Sequence, residues 1–259
     1  MTSISQPRKN SKPNNDKKLS AFEILKGSAP TISVSILAAD LMNLGSAVEL
    51  IEAEGVPMIH FDVMDGCFCP AMTVGPPFIK GIKTKLLKDV HLMICDPLTK
   101  VANYVEAGAD IVTVHVESCP AHIHRIFQEL SELTNANDPV RGIVKGVALN
   151  PGTPVELIKP IIEMVDMVTL LAVNPGWGRQ HFLESTKRKV GEIKEMAKEL
   201  SKDVLICVDG GVTKSNIADI GQTGIDVVVT GSAVFEGSDP AHNIRLMQEA
   251  LRAKEIYSA

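Results

Sequence analysis

Eight short apolar runs, each followed by a polar or amphipathic segment, constrain the fold of this chain more than any other feature. From Thr31 onward the runs are "TISVSILAA", "MIHFDVM", "DVHLMI", "IVTVHVE", "VKGVALN", "MVTLLAV", "VLICVDG" and "VVVTGSAVF". They are nearly continuous in apolar residues, as parallel strands buried on both faces must be. Between them, "LGSAVELIEAEG", "LTKVANYVEAG" and "STKRKVGEIKEMAKEL" carry the i, i+3, i+4 apolar spacing of helices. Gly55, Gly108 and Gly224 stand just ahead of a strand, where a helix ends most easily in a left-handed residue. The alternation predicts an α/β protein, a single-domain (β/α)8 TIM barrel. An open doubly wound sheet would be expected to carry GxGxxG after its first strand, and none is there.

The predicted barrel domain spans 29–259, preceded by a polar extension over 1–28, disordered or partly helical. The opening "MTSISQPRKNSKPNNDKKLS" has no apolar segment of the secretory kind. It has a single Arg and no amphipathic face, so a disordered tail describes it better than a transit peptide. "LSAFEILKG" is expected to add one short helix. A net charge of −5 gives no general attraction to nucleic acid or anionic lipid, and no apolar run approaches a membrane span. The five cysteines, Cys67, Cys69, Cys95, Cys119 and Cys207, are odd in number and include no CxxC pair. They are expected to be reduced thiols of a cytoplasmic protein.

Barrels of this kind gather reactive groups at the C-terminal ends of their strands. There the apolar runs are interrupted by Ser33 and Ser35, His60 and Asp62, His91, His115 and Glu117, and Asp209. His60 and Asp62 are two apart and share a face. His60, Asp62, His91 and Asp209 can complete a site for one divalent ion, Zn2+ foremost, with Fe2+, Mn2+ or Co2+ also compatible. Equally, each could be satisfied separately by backbone or neighbours, and the spacing alone leaves both readings open. The late loops "NPGWGRQ", "DGG" and "GSA" point to a phosphate site. In them Gly176, Gly178, Gly210, Gly211 and Gly231 admit close backbone N–H approach and Ser232 offers a hydroxyl. His115 is expected to be satisfied by backbone, Asp65 to form an Asx turn before Gly66, and His122 and His124 to face solvent. Trp177 either lines a substrate pocket or covers the phosphate loop.

In order along the chain, "SILAADL", "HFDVMDGCFCPAMTVGPP", "DVHLMI", "YVEAGAD", "VHVE", "GVALNPGTP", "VNPGWGRQ", "VDGG" and "GSAVF" resemble the ribulose-phosphate 3-epimerase family from about Ile32 to Phe235. The resemblance implies a metal held by His60, Asp62, His91 and Asp209, with Asp62 and Asp209 as the acid/base pair. It implies substrate contacts from Ser35, His91, Met64 and Met93, and a phosphate grip from Gly176, Trp177, Gly178, Gly210, Gly211, Gly231 and Ser232; Arg179, where the family has Gly, could add a charge-assisted contact to the phosphate or narrow the pocket. The implied reaction converts D-ribulose 5-phosphate to D-xylulose 5-phosphate through an enediolate. The implied partner is a small phosphorylated ketose, bound by a homo-oligomer.

Departures from the family pattern bear on substrate identity. Val34 replaces a usual Pro, Ala38 a frequent Ser, and Cys67, Cys69 and Ala71 alter a loop that commonly reads "HFVPN". Leu171 stands where a third methionine is expected, and "GWGRQ" replaces "GFGGQ", bringing in Arg179. A 3-epimerase of another ketose phosphate, such as D-allulose 6-phosphate, is therefore an alternative. A decarboxylase on a related barrel would be expected to place a Lys among the core polar groups. A non-catalytic phosphosugar-binding barrel would be expected to lack Asp62 or Asp209, and both are present.

Overall fold

The computed structural model describes residues 18–178 and 180–253. Eight parallel strands close on themselves in sequence order: β1 (Thr31–Ser35), β2 (Met58–Met64), β3 (Leu87–Met93), β4 (Ile111–His115), β5 (Val144–Leu149), β6 (Met167–Leu171), β7 (Leu205–Asp209) and β8 (Val227–Thr230). Closure is made by β1 against β8, with Thr31 opposite Val227 and Val34 opposite Thr230. The predicted (β/α)8 barrel is the observed one.

The helices are α1 (Ala21–Ser28), α2 (Leu44–Ala53), α3 (Pro76–Gly81), α4 (Val101–Glu106), α5 (Ile123–Glu132), α6 (Ser185–Glu199), α7 (Ile217–Gly221), α8 (Ser232–Phe235) and α9 (Pro240–Arg252). The β5–β6 crossover is made of two 3-10 turns, Val155–Ile158 and Ile162–Met164. Pro160 lies between them, and without a backbone N–H it cannot continue a helix. Gly55, Gly108 and Gly224 adopt φ of 67°, 96° and 70°, the left-handed stops expected of them.

Two apolar layers hold the barrel. The outer one packs strand residues such as Ile59, Phe61, Val90, Val112 and Val208 against helix residues such as Ile51, Phe127, Ile193 and Met247. The second fills the N-terminal end of the interior with Met58, Leu87, Ile111, Val144, Met167, Leu205 and Val227. Residues 21–28, within the stretch expected as extension, close that end: Ala21 and Leu25 of α1 are fully buried against this layer. Ser20 caps α1, accepting from the Glu23 backbone N–H while the Glu23 carboxylate accepts from the Ser20 N–H.

Side chains two apart along each strand point to the same face. The interior above the apolar layer therefore receives Ser33 and Ser35, His60 and Asp62, Asp89 and His91, Thr113 and His115, and Asp209. Gly146 makes room among them, since a Cβ there would lie 2.3 Å from the Thr113 hydroxyl oxygen.

If α1 seals the barrel, Leu25→Ala should cost about 2–5 kcal/mol of unfolding free energy, as truncation of a fully buried leucine does. A denaturant midpoint indistinguishable from that of the unsubstituted chain would show that the barrel stands without its plug.

Candidate active site

The C-terminal mouth of the barrel opens into a cleft of about 450 Å³. Asp62 and Asp209 stand in its wall together with Ser35, Trp177, Gly211 and Ser232. His60 and His91 lie just beneath, both buried. One ligand atom from each of His60, Asp62, His91 and Asp209 falls within 4.8 Å of every other. The fold thus brings to one point the four groups that the spacing alone left unplaced.

The contacts within the quartet are short. His60 Nε2 is 3.3 Å from Asp62 Oδ1 and 3.8 Å from Asp209 Oδ2. His91 Nδ1 is 3.1 Å from Asp209 Oδ2 and 3.9 Å from Asp62 Oδ1. The Ser35 hydroxyl donates to Asp62 Oδ2 at 2.7 Å. Burial alone would push the His60 imidazole down, but the Asp89 and Asp62 carboxylates override it and raise the group well above its ordinary value. Burial likewise opposes ionisation of Asp62, yet His60, His91 and the Ser35 hydroxyl hold its carboxyl below the usual range. The quartet concentrates negative charge around one point, and its donor set of two imidazoles and two carboxylates suits a divalent cation.

Of the groups behind the quartet, sequence reasoning named His115 and Glu117 without giving them a role there and missed Asp89. His60 Nδ1 lies 2.7 Å from Asp89 Oδ2, which also accepts from the Ser33 hydroxyl at 2.9 Å. His115, expected to be satisfied by backbone, instead contacts side chains on both edges. Its Nε2 is 2.9 Å from His91 Nε2 and its Nδ1 3.0 Å from Glu117 Oε2. The reason is register: β4 sets His115 on the same inner face as His91, which pairs with Thr113 next below. Burial lowers the His115 imidazole to about 4, with Glu117 only partly offsetting it, so the ring is neutral near pH 7. A signal was present in both cases: Asp89 sits two residues before His91 on one face of β3, and Glu117 follows His115 by two residues, just past the end of β4.

The lining of the same cleft includes Trp177, Gly178, Gly210, Gly211, Gly231 and Ser232. Trp177 is 61% exposed there. Gly211 is required twice over: its φ is 68°, and a Cβ would meet the Phe182 backbone nitrogen at 2.6 Å. Gly231 abuts Ala38 and Ser35 at the mouth of β1. Met64, Met93 and Gly176 do not line this cleft. Met93 is buried, Met64 is half-buried, and Gly176 presses against Cys69 and Pro70 of the β2 loop. Arg179 lies outside the described residues. Asp65 forms the expected turn, its Oδ1 accepting from the Cys67 and Phe68 N–H groups at 2.9 Å. His122 and His124 are exposed and all five cysteines are free thiols, as expected. Among the described residues no helix is long and apolar enough to cross a membrane.

Fold and site together define a (β/α)8-barrel enzyme with paired carboxylates at its catalytic mouth. Residues 31–235 match the sequence pattern of the ribulose-phosphate 3 epimerase family. A ribulose-phosphate 3-epimerase of Bacillus subtilis (strain 168) is 43% identical over 211 residues, covering 80% of this chain and 93% of that protein. The chloroplastic ribulose-5-phosphate-3-epimerase of Arabidopsis thaliana is 40% identical over 228 residues, 87% of this chain and 78% of that protein. Among solved structures, KGPDC from Streptococcus mutans superposes with a TM-score of 0.59 at 16% identity, over 86% of this chain and 98% of that one, a likeness of fold. The chain belongs to the ribulose-phosphate 3 epimerase family and is an isomerase of phosphorylated carbohydrates.

The two loop glycines Gly178 and Gly211 should respond differently to Ala. Gly211→Ala is expected to destabilise by about 1–3 kcal/mol, from its left-handed backbone and the Phe182 contact. Gly178→Ala meets nothing within 4 Å and should leave thermal unfolding unchanged. Equal melting temperatures for both variants would contradict this account of the cleft wall.

Proposed function

We propose that the chain catalyses the 3-epimerisation of D-ribulose 5-phosphate to D-xylulose 5-phosphate. The observation that carries the proposal is the approach of two carboxylates, Asp62 and Asp209, to one point in the wall of one cleft. Inversion at a carbon next to a carbonyl needs a base on one face and an acid on the other. Asp62 reaches the site from β2 and Asp209 from β7, strands separated in the closed barrel by β1 and β8. One carboxylate takes the C3 proton, leaving an enediolate, and the other returns a proton to the opposite face. In the reverse reaction their roles exchange.

His60, Asp62, His91 and Asp209 would hold one divalent ion, Zn2+ by preference over Fe2+, Mn2+ or Co2+. Such an ion, when bound, supplies positive charge beside the oxyanion that develops on the substrate. The protein's own groups do the rest. Ser35 orients Asp62 through Oδ2, leaving Oδ1 toward the histidines. The backbone of Gly210, Gly211 and Gly231, with Ser232, would receive the phosphate, and Trp177 and Gly178 would cover it.

A coupled assay tests the reading. Asp62→Asn and Asp209→Asn should each lower kcat by about 10²- to 10⁴-fold, the usual contribution of a positioned acid or base, with the circular dichroism spectrum unchanged. Turnover at the normal rate in either variant would refute the paired-aspartate mechanism. A chelator should abolish activity and a divalent ion restore it; full activity in the chelated protein would remove the metal from the account. D-ribulose 5-phosphate should be turned over with a higher kcat/KM than D-allulose 6-phosphate. Preference for the hexose would keep the chemistry and reassign the substrate, with Trp177 and Leu171 the first described residues to substitute.

A further inference from the structure

We infer that Glu117 and His115 form a hydrogen-bond relay that fixes the tautomer of His91 and presents its Nδ1, unprotonated, to the site. The inference rests on the proposed metal quartet, and it assigns two further residues as positioning groups for that site.

Consider the four ring nitrogens in line. Glu117 Oε2 faces His115 Nδ1 at 3.0 Å, His115 Nε2 faces His91 Nε2 at 2.9 Å, and His91 Nδ1 faces Asp209 Oδ2 at 3.1 Å. With a cation at His91 Nδ1, as the proposed quartet requires, two contacts of the row are left to hydrogen bonds, and each takes one imidazole proton. The end at Glu117 is the better defined. The other oxygen of Glu117, Oε1, accepts from the Asn150 backbone N–H at 2.7 Å and from the Thr153 hydroxyl. Those two donors anchor the carboxylate, and Lys189 of α6 holds their loop by donating to the backbone carbonyls of Asn150, Pro151 and Thr153. An anchored carboxylate can only accept, so His115 must donate from Nδ1. His115 Nε2 is then an acceptor, and His91 must donate from Nε2. With its one proton on Nε2, His91 turns the lone pair of Nδ1 toward Asp62 and Asp209, where the quartet would hold the cation.

His60 reaches the same end by a shorter route. Its Nδ1 donates directly to Asp89, leaving Nε2 toward Asp62 and Asp209. The two histidines thus use different ring nitrogens at the site because their orienting carboxylates lie at different ring positions. Both His91 and His115 are fully buried, their ring planes lie within 14° of each other with centroids 5.0 Å apart, and Phe68 covers His115 at 4.6 Å. Water does not compete for the row.

Glu117→Gln reverses this logic without changing shape. Asn150 N–H and the Thr153 hydroxyl call for the amide oxygen, which turns the amide NH2 toward His115 Nδ1. His115 must then donate from Nε2, His91 must accept there, and its proton moves to Nδ1, the ligand atom. Thr153→Val leaves the Asn150 donor and the Oε2 contact in place, and serves as the control.

The test uses the full chain with 15N-labelled histidine. Long-range 1H–15N spectra of the zinc-loaded protein should show His115 protonated on Nδ1 and His91 on Nε2. Glu117→Gln should interchange the two and weaken zinc binding, measured by competition with a chromogenic chelator, by about 10- to 100-fold, the range typical of groups that orient a ligand. Thr153→Val should retain both tautomers and bind zinc within about threefold of the unsubstituted chain. His115 protonated on Nε2 in the unsubstituted protein would overturn the relay, as would unchanged tautomers and affinity in Glu117→Gln. Should Glu117→Gln not fold, the spectrum of the unsubstituted chain decides alone. Should the unsubstituted chain bind no zinc, the metal reading fails separately, and the Nδ1 proton of His115 in the metal-free protein still tests the relay.

Discussion

Closure of the parallel sheet is the constraint from which the rest follows. Once β1 pairs with β8, alternate side chains of all eight strands must share one narrow interior, and none of them can be left in solvent. The chain resolves this along the barrel axis. Its lower interior is apolar, from Met58 and Leu87 round to Val227, and supplies cohesion. Its upper interior is polar and supplies chemistry. Because the two regions are consecutive positions on the same strands, the site inherits the rigidity of the core beneath it.

Placing so many ionisable groups in a buried space is expensive unless each has partners, at several kcal/mol for an isolated charge. The upper interior meets that demand with carboxylate–imidazole contacts rather than with Lys or Arg. Lys88, the buried lysine of β3, donates its ammonium to the Ile79 carbonyl, away from the quartet. No Lys or Arg reaches the quartet among the described residues, and its donor set of imidazoles and carboxylates suits a divalent cation. Leu171 and the Cys67–Cys69 loop, two of this chain's departures from the family pattern, add no ionised group of either sign to the quartet.

Much of this was legible in the sequence because periodicity and composition act locally. Eight apolar runs with glycine stops specify eight strands, and His60, Asp62, His91 and Asp209 are conspicuous in runs otherwise apolar. The layer behind them was harder to read. Asp89 adjoins Lys88 and looks like an ordinary strand entry, although it is two residues from His91. His115 and Glu117 repeat the spacing of His60 and Asp62 two strands later, but whether they meet anything depends on the stagger between neighbouring strands, which no single strand encodes. The same holds for α1: "AFEILKG" shows a short amphipathic helix, whereas its docking beneath the barrel is a property of the assembled interior. The β5–β6 crossover lost its helix to Pro160, a breaker visible in the sequence.

The filled interior also determines the traffic of molecules through this enzyme. With the apolar layer from Met58 to Val227 packed beneath the site and Ala21 and Leu25 set against it, the cleft is a blind pocket with one doorway. A reactant and the epimer formed from it must use that doorway in turn, and neither can enter while the other is inside. Mutual exclusion of the two sugars, and hence competition of each with the other across the whole approach to equilibrium, is built into the barrel by side chains that never touch them.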